Sequence, residues 1–312
     1  MRVQAITEFG GPDVFEEQEW ETPKPGPNDV LVKVHATSVN PVDYKIRQSG
    51  SWAGVNPPAI IGYDVSGVIE AIGDGVEDFQ VGDEVFYTPE IFEGQGSYAE
   101  YHIADESIVA RKPENLSHEE AASIPLAGVT AYDGIITRGV AETGNTVLIH
   151  GAGGVGSLAA QISVAAGVRT IVVCSDYMEE TVLEMGGEPI NYMTENFVEV
   201  VEEKTEGAGV DLVFDTVGGN TMSRSLEVIK SHGRMVNIVG TVADLSRANI
   251  LNVTVEFLFI ERQRYVLDRL RALIERDQVK PVIDSVTKLE EVAEAHRRLE
   301  QGGVKGKIVL KV

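Results

Sequence analysis

Gly151, Gly153 and Gly156 hold the spacing best suited to chemistry, G-x-G-x-x-G, within Thr146-Val147-Leu148-Ile149-His150-Gly151-Ala152-Gly153-Gly154-Val155-Gly156. An apolar, β-branched run precedes the glycines, and an Ala-rich stretch from Ser157 to Ala166 follows and closes on Gly167. That order reads as strand, tight turn, helix, the context in which this spacing binds a dinucleotide. Gly151 permits the sharp turn, Gly153 lets the backbone approach a pyrophosphate, and Gly156 lets the helix lie close to the strand. The pyrophosphate sits on the helix N-terminus, where unpaired N–H groups and the dipole favour an anion. Gly154 and Val155 belong to the same cofactor-binding turn. The alternative is a glycine-rich turn with no ligand.

Thiol and metal chemistry lack their residues. Cys174 is the one cysteine, so neither a disulfide within the chain nor a cysteine zinc site can be built. It ends the strand-like run Ile171-Val172-Val173 and reads as a buried thiol. Histidines at 35, 102, 118, 150, 232 and 296 are scattered and read as surface or local structural residues, with no metal site among them. Asp and Glu number 49 against 26 Lys and Arg, a net charge of −23. Such a chain repels nucleic-acid backbones and anionic membranes. The excess acid reads as a solubilising surface or as adaptation to high salt, where screening removes self-repulsion. No apolar run reaches the ~20 residues of a membrane span. Met1 to Ile6 runs straight into a strand pattern with no signal-peptide core. The expectation is a soluble, cytoplasmic protein.

These residues need elements to hold them. Residues 1 to about 118 read as short strands with few helices, suggesting a small barrel. Val30, Val32 and Val34 alternate with other side chains, Val65 to Ile72 is a second strand, and Gly96 to Ile103 is strand-like. Ser117 and Glu120 form a capping box opening a helix over Glu119 to Ile124. Alternating strands and helices follow, with strands at 146–150, 170–174, 211–215 and 235–239 and a helical segment from Thr221 to Lys230. This implies a parallel sheet covered on both faces. Two helices are expected near the end, Tyr265 to Arg276 and Lys288 to Glu300, the second capped by Thr287 and Glu290, before a last strand over Lys307 to Val312.

Several stretches together carry a family resemblance: Asn40-Pro41-Val42-Asp43, Gly62-Tyr63-Asp64-Val65-Ser66-Gly67, Pro125-Leu126-Ala127-Gly128-Val129-Thr130-Ala131-Tyr132 and Lys305-Gly306-Lys307-Ile308-Val309-Leu310. Over nearly its whole length the chain resembles the zinc-free quinone oxidoreductase branch of the medium-chain dehydrogenase/reductase superfamily. The resemblance implies an α/β protein with a GroES-like β-barrel catalytic domain over residues 1–118 and 267–312. A Rossmann doubly wound parallel sheet follows over residues 119–266. Zinc alcohol dehydrogenases carry Gly-His-Glu where this chain has Gly62-Tyr63-Asp64, and their catalytic cysteine is absent here, so the resemblance implies no zinc.

By the same resemblance the reaction is hydride transfer from NADPH, with NADH as the alternative, to a quinone or an α,β-unsaturated carbonyl. Asn40 and Thr130 are expected beside nicotinamide and substrate. The Tyr63 phenol faces the carbonyl oxygen or is a packed strand residue. Lys45 stabilises an oxyanion or is a solvated lysine. Asp43 is expected as a structural hydrogen-bond acceptor rather than a proton donor, no acid/base pair stands out, and water is left to protonate the product. Ser175 falls at the ribose-reading position, where a carboxylate would select NAD, and Tyr192 matches a tyrosine that contacts the 2′-phosphate in relatives. Adjacent Asp176 argues for NADH. Further cofactor contacts are implied for Val217, Val239, Gly240 and Lys307. An enoyl-thioester reductase and a non-catalytic NADPH-binding sensor or structural protein are the alternatives. The apolar run Ile250 to Ile260 reads as an edge strand that needs pairing; the resemblance implies that it pairs with a second copy in a homodimer, the alternative being a helix that covers it in a monomer.

Overall fold

The computed structural model describes residues 1–240 and 243–312 and divides into two compact units. Met1–Leu126, Glu261–Glu275 and Pro281–Val312 form the first; Ala127–Ile260 and Arg276–Lys280 form the second.

The early strands are β1 (Arg2–Ile6), β2 (Phe15–Glu19), β3 (Asp29–Val39), β4 (Ala59–Ile60), β5 (Val65–Ile72), β6 (Glu84–Tyr87), β7 (Tyr101–Asp105) and β8 (Ala110–Arg111). β2, β1 and β4 form a small sheet. β3 is the hub of a larger one, antiparallel to both β5 and β7. Lys33 and His35 point to solvent between buried Val32, Val34 and Ala36. From Ala36 to Val39 every residue is buried, so β3 delivers its last residues into the interior.

A helix, α1 (Pro41–Ser49), interrupts a stretch expected to be almost all strand. Asn40 and Asp43 form its capping box, and Pro41 occupies the position where a missing N–H costs nothing. α2 (His118–Ala122) begins at the expected box: Ser117 N–H donates to Glu120 at 2.8 Å, and Glu120 N–H to Ser117 Oγ at 3.2 Å. α3 (Pro125–Tyr132) follows.

The second unit is built on β9 (Thr146–His150), β10 (Arg169–Cys174), β11 (Glu188–Asn191), β12 (Val210–Asp215), β13 (Ile229–Asn237) and β14 (Thr254–Phe257). Their order is β11-β10-β9-β12-β13-β14, all parallel. This is the 3-2-1-4-5-6 order of the doubly wound fold, reversing direction at β9. Leu148, Ile171, Val213, Met222 and Met235 share its core. α4 (Gly154–Ala165) is buried from Gly156 through Ser163, which explains its Ala-rich, unpatterned sequence. The helix expected over Thr221 to Lys230 stops at Ser225, because Ile229 already belongs to β13.

The chain then returns to the first unit. β15 (Ile283–Lys288) and β16 (Lys307–Lys311) join its large sheet, with β16 between β15 and β3. β16 holds Thr287 and Lys288 in the strand, opposite Leu310 and Lys311. The last helix therefore starts later than expected, at Val292, and Glu291 rather than Glu290 closes the cap on Lys288.

Candidate active site

In the first unit, strand register assembles a buried polar cluster. β16 is antiparallel to β3 with Ile308 opposite Val39, so the next residues outward, Lys307 and Asn40, come together. β5 pairs Ser66 with Ala36, which brings Asp64 to Ser38. Asp64 is wholly buried. Its Oδ2 accepts from Ser38 Oγ at 2.5 Å, Asn40 Nδ2 at 2.7 Å and Lys307 Nζ at 3.2 Å. Its Oδ1 accepts from the Leu126 amide at 2.8 Å. Lys307 Nζ also donates to Asn40 Oδ1. A buried carboxylate persists only when paired and fully hydrogen-bonded, and Asp64 meets both conditions.

Among the described residues of this unit three buried side-chain oxygens have no protein partner: the Tyr63 hydroxyl, Asp43 Oδ1 and Thr88 Oγ1. Tyr63 is wholly buried in the segment joining β4 to β5, and its hydroxyl is unbonded. Burial, aided by the charges of Asp43 and Glu90, pushes its phenol well above the usual range. Asp43 Oδ2 accepts from the Asn40 amide at 2.7 Å and the Tyr98 hydroxyl at 2.8 Å, while Oδ1 has no partner. Burial lifts the Asp43 carboxyl to about 7, against the pull of those two donors and of Lys307. Beyond Tyr98 lie His296, 3.1 Å from its oxygen, and Arg47, 3.0 Å from the far side of that ring. Lys45, on α1, is exposed and not part of this cluster.

In the second unit the loops at the carboxyl ends of β9, β10, β12 and β13 carry the remaining residues. Gly151 has φ +91°, and a Cβ there would lie 2.6 Å from Thr216 Oγ1. A Cβ on Gly156 would overlap the Gly151 carbonyl. Around Gly153, by contrast, a Cβ would meet nothing within 4 Å. Gly153 also caps α4 with no side-chain hydrogen bond, leaving the first-turn amides of Gly154 and Val155 to other acceptors. This open cradle at a helix N-terminus fits a pyrophosphate. Asp215 accepts from Val217 and Gly218 amides, both at 2.9 Å, and Asn237 Oδ1 from Val239 and Gly240 amides, both at 2.8 Å. Asn237 Nδ2 links the two braces at 3.1 Å. Ser175 directly follows β10 and is buried. The Tyr192 amide donates to Cys174 O at 3.1 Å, which brings exposed Tyr192 beside Ser175. Asp176 is exposed and accepts from the Tyr177 amide. Thr130 is buried on α3, and Cys174 is a buried thiol pushed up to about 11 by burial.

Ser38, Tyr98 and His296 escape any reading of the sequence, since the register and packing that join them span up to 198 positions. Asp64 stands in a motif that the resemblance already marks.

The alcohol dehydrogenase GroES-like domain family matches residues 26–114, and the zinc-binding dehydrogenase family matches residues 186–310, a span containing neither Asn40 nor Tyr63. Human quinone oxidoreductase is 35% identical across 99% of this chain and 97% of its own length. The NADPH-dependent alkenal/one oxidoreductase of Arabidopsis thaliana is 32% identical, covering 99% of this chain and 79% of its own. The solved quinone oxidoreductase of Coxiella burnetii superposes with a TM-score of 0.91 at 32% identity, over 100% of this chain and 99% of that one. With a GroES-like unit, a Rossmann-type parallel sheet and full-length relatives of this kind, the chain belongs to the quinone oxidoreductases of the medium-chain dehydrogenase/reductase superfamily, an NAD(P)-binding family of oxidoreductases.

Proposed function

We propose that the protein is an NADPH-dependent reductase that delivers hydride to a quinone or an α,β-unsaturated carbonyl without zinc. The observation that carries this reading is the unpartnered Tyr63 hydroxyl and Asp43 Oδ1 beside a saturated buried cluster. A buried hydroxyl without a partner costs about 1–3 kcal/mol, and a substrate carbonyl accepting from Tyr63 would recover it. Reduced nicotinamide, when bound, supplies the hydride. Gly151, Gly153, Gly154, Val155 and Gly156 would hold the pyrophosphate, and Val217, Val239 and Gly240 would line the far side of the strand ends. Ser175 and Tyr192, two hydroxyls flanking the end of β10, suit a 2′-phosphate. The exposed carboxylate of Asp176 is the feature that speaks for NADH.

On this reading the first unit carries substrate chemistry through Asn40 and Tyr63, and the second carries the dinucleotide, with Thr130 at the nicotinamide. Lys307 supports the zinc-free assignment: its ammonium already neutralises Asp64 and occupies the Asn40 amide oxygen, so a divalent cation would meet a like charge. Lys45 takes the role of a solvated lysine. We further infer a cytoplasmic homodimer, since β14 pairs only β13 among the described residues and exposes Phe257 at its edge.

The test is to mix the protein with NADPH or NADH and a panel of quinones, enones and enoyl thioesters and follow the nicotinamide absorbance, with and without chelator. The expected outcome is faster NADPH oxidation with quinones or enones, unchanged by chelator. Oxidation with enoyl thioesters alone would assign the protein as a thioester reductase. NADPH binding with no oxidation would make it a sensor or structural protein. Loss of activity in chelator would end the zinc-free assignment.

A further inference from the structure

A directional chain of hydrogen bonds ends on Asp43. Arginine cannot accept a hydrogen bond, so Arg47 Nη1 donates to His296 Nδ1 at 3.0 Å. That makes His296 the neutral tautomer with its proton on Nε2, which donates to the Tyr98 oxygen at 3.1 Å. Tyr98 in turn donates to Asp43 Oδ2 at 2.8 Å, beside the Asn40 amide at 2.7 Å. Arg47 is anchored by Glu300 at 2.6 Å and the Gly10 carbonyl at 3.0 Å. Arg47 does not give up its proton, so the chain is a clamp rather than a proton wire. It saturates Oδ2 and leaves Oδ1 buried and unbonded.

Resting on the reductase reading above, we propose that Asp43 is the acid of the reaction: Oδ1 carries the proton that completes the reduced substrate, while Tyr98, His296 and Arg47 are positioning residues that keep Oδ2 occupied. An enone β-carbon gains hydride from the reduced nicotinamide, forming a C–H bond, and the C=C electron pair moves into an enolate. The Asp43 O–H bond then breaks, its electron pair stays on Oδ1, and the proton bonds to the enolate carbon. For a quinone the proton bonds to oxygen and a hydroquinone results. The carboxylate regains one proton from solvent, so each turnover consumes one hydride and one proton. The groups facing Asp43 are Tyr98, Lys307 from β16, Asp64 and Tyr63 from the segment before β5, and His296 through Tyr98. Burial, set against the donors Tyr98 and Asn40 and the charge of Lys307, leaves the carboxyl at about 7, where it can both hold and return a proton near neutrality.

Infrared titration of the protein alone tests the proton store. A protonated carboxyl stretch should fade around neutral pH in wild type and be missing in Asp43→Asn. Tyr98→Phe, which keeps the carboxyl but removes a donor to it, should move that midpoint to higher pH. With NADPH and an accepted quinone or enone, Asp43→Asn should turn over roughly a hundredfold more slowly. It should lose the solvent deuterium isotope effect and bind NADPH within about twofold of wild type. Should Asp43→Asn fail to fold, the Tyr98→Phe midpoint decides the matter. An unmoved midpoint, no carboxyl titrating near neutrality, or an Asp43→Asn enzyme with wild-type rate and pH profile overturns the assignment. If wild type oxidises no nicotinamide with any acceptor, the reductase reading falls and this proposal with it, whatever the infrared shows.

Discussion

His102, His150 and His296 are buried and held neutral by burial, titrating at about 4, about 4 and about 3. His102 bonds Tyr87 and the Gln95 carbonyl, both at 2.9 Å, and His150 bonds Ser225 at 2.8 Å. Each folded value lies below that of the unfolded chain. The stability they confer is therefore present above the ordinary histidine range and lost as pH falls toward about 4. Asp43 works the other way. Its folded value is raised from 3.8 to about 7, so its contribution is full at acid pH and lost as pH rises through 7. With His118, likewise lowered to about 4 by burial, unfolding between these limits takes up four protons at the histidines and releases one from Asp43. Each proton is worth about 1.4 kcal/mol per pH unit. The melting temperature should fall as pH drops from about 6.5 to about 4, and Asp43→Asn should steepen that fall by removing the opposing proton. A thermal melt across this range checks both; a flatter slope in the variant would contradict the assignment. A sequence marks these histidines only as scattered. Which of them lose water depends on packing from distant strands, and periodicity does not report it.

At the scale of the element, the β9–α4 turn separates folding from binding. Gly156→Ala forces a methyl into the Gly151 carbonyl and should cost at least ~1–3 kcal/mol, seen as a lowered melting temperature. Gly153→Ala has room in the protein, so it should melt near wild type yet bind the dinucleotide at least tenfold more weakly, because the methyl takes the pyrophosphate's space. Equal losses of stability in the two variants would contradict this division. At the end of β10, a hydrogen bond to a phosphate is worth ~1.5–3 kcal/mol. Ser175→Ala and Tyr192→Phe should therefore each weaken NADPH roughly tenfold to hundredfold and spare NADH. Ser175→Asp should reverse the preference, and Asp176→Asn should improve NADPH binding. Fluorescence titration of both cofactors at fixed salt reads these values; a wild type that prefers NADH, with both affinities unchanged in Ser175→Ala, would transfer ribose recognition to Asp176. The turn was legible in the sequence because all its determinants lie within eleven residues. α1 was not: its cap, Asn40 with Asp43, sits in a strand-rich stretch, and hydrophobic alternation says nothing about it.

Over the whole molecule, a net charge of −23 opposes compaction until salt screens it. Raising the salt from about 0.1 M to about 1 M should raise the melting temperature; a falling melting temperature would count against high-salt adaptation. The edge of β14 should pair with a second copy. Light scattering should give a dimer mass at micromolar concentration, and Phe257→Lys should shift it to monomer. The two-unit plan was legible from the switch between strand-rich and alternating composition. The Asn40–Asp64–Lys307 cluster was not, because it depends on a strand pairing that bridges most of the chain.

That pairing, β16 on β3, has a consequence in time. Ile308 meets Val39 with the whole second unit between them in sequence, so the contact should form late, because long separations are slow to close. The second unit is assembled from neighbouring strand–helix–strand steps and can collapse while the first is still open. Pulsed hydrogen exchange during refolding should find β9, β10 and β12 protected before β3 and β16. Until β16 docks, Asp64 has no ammonium to meet, so the polar cluster of the first unit should be completed only at the last step of folding.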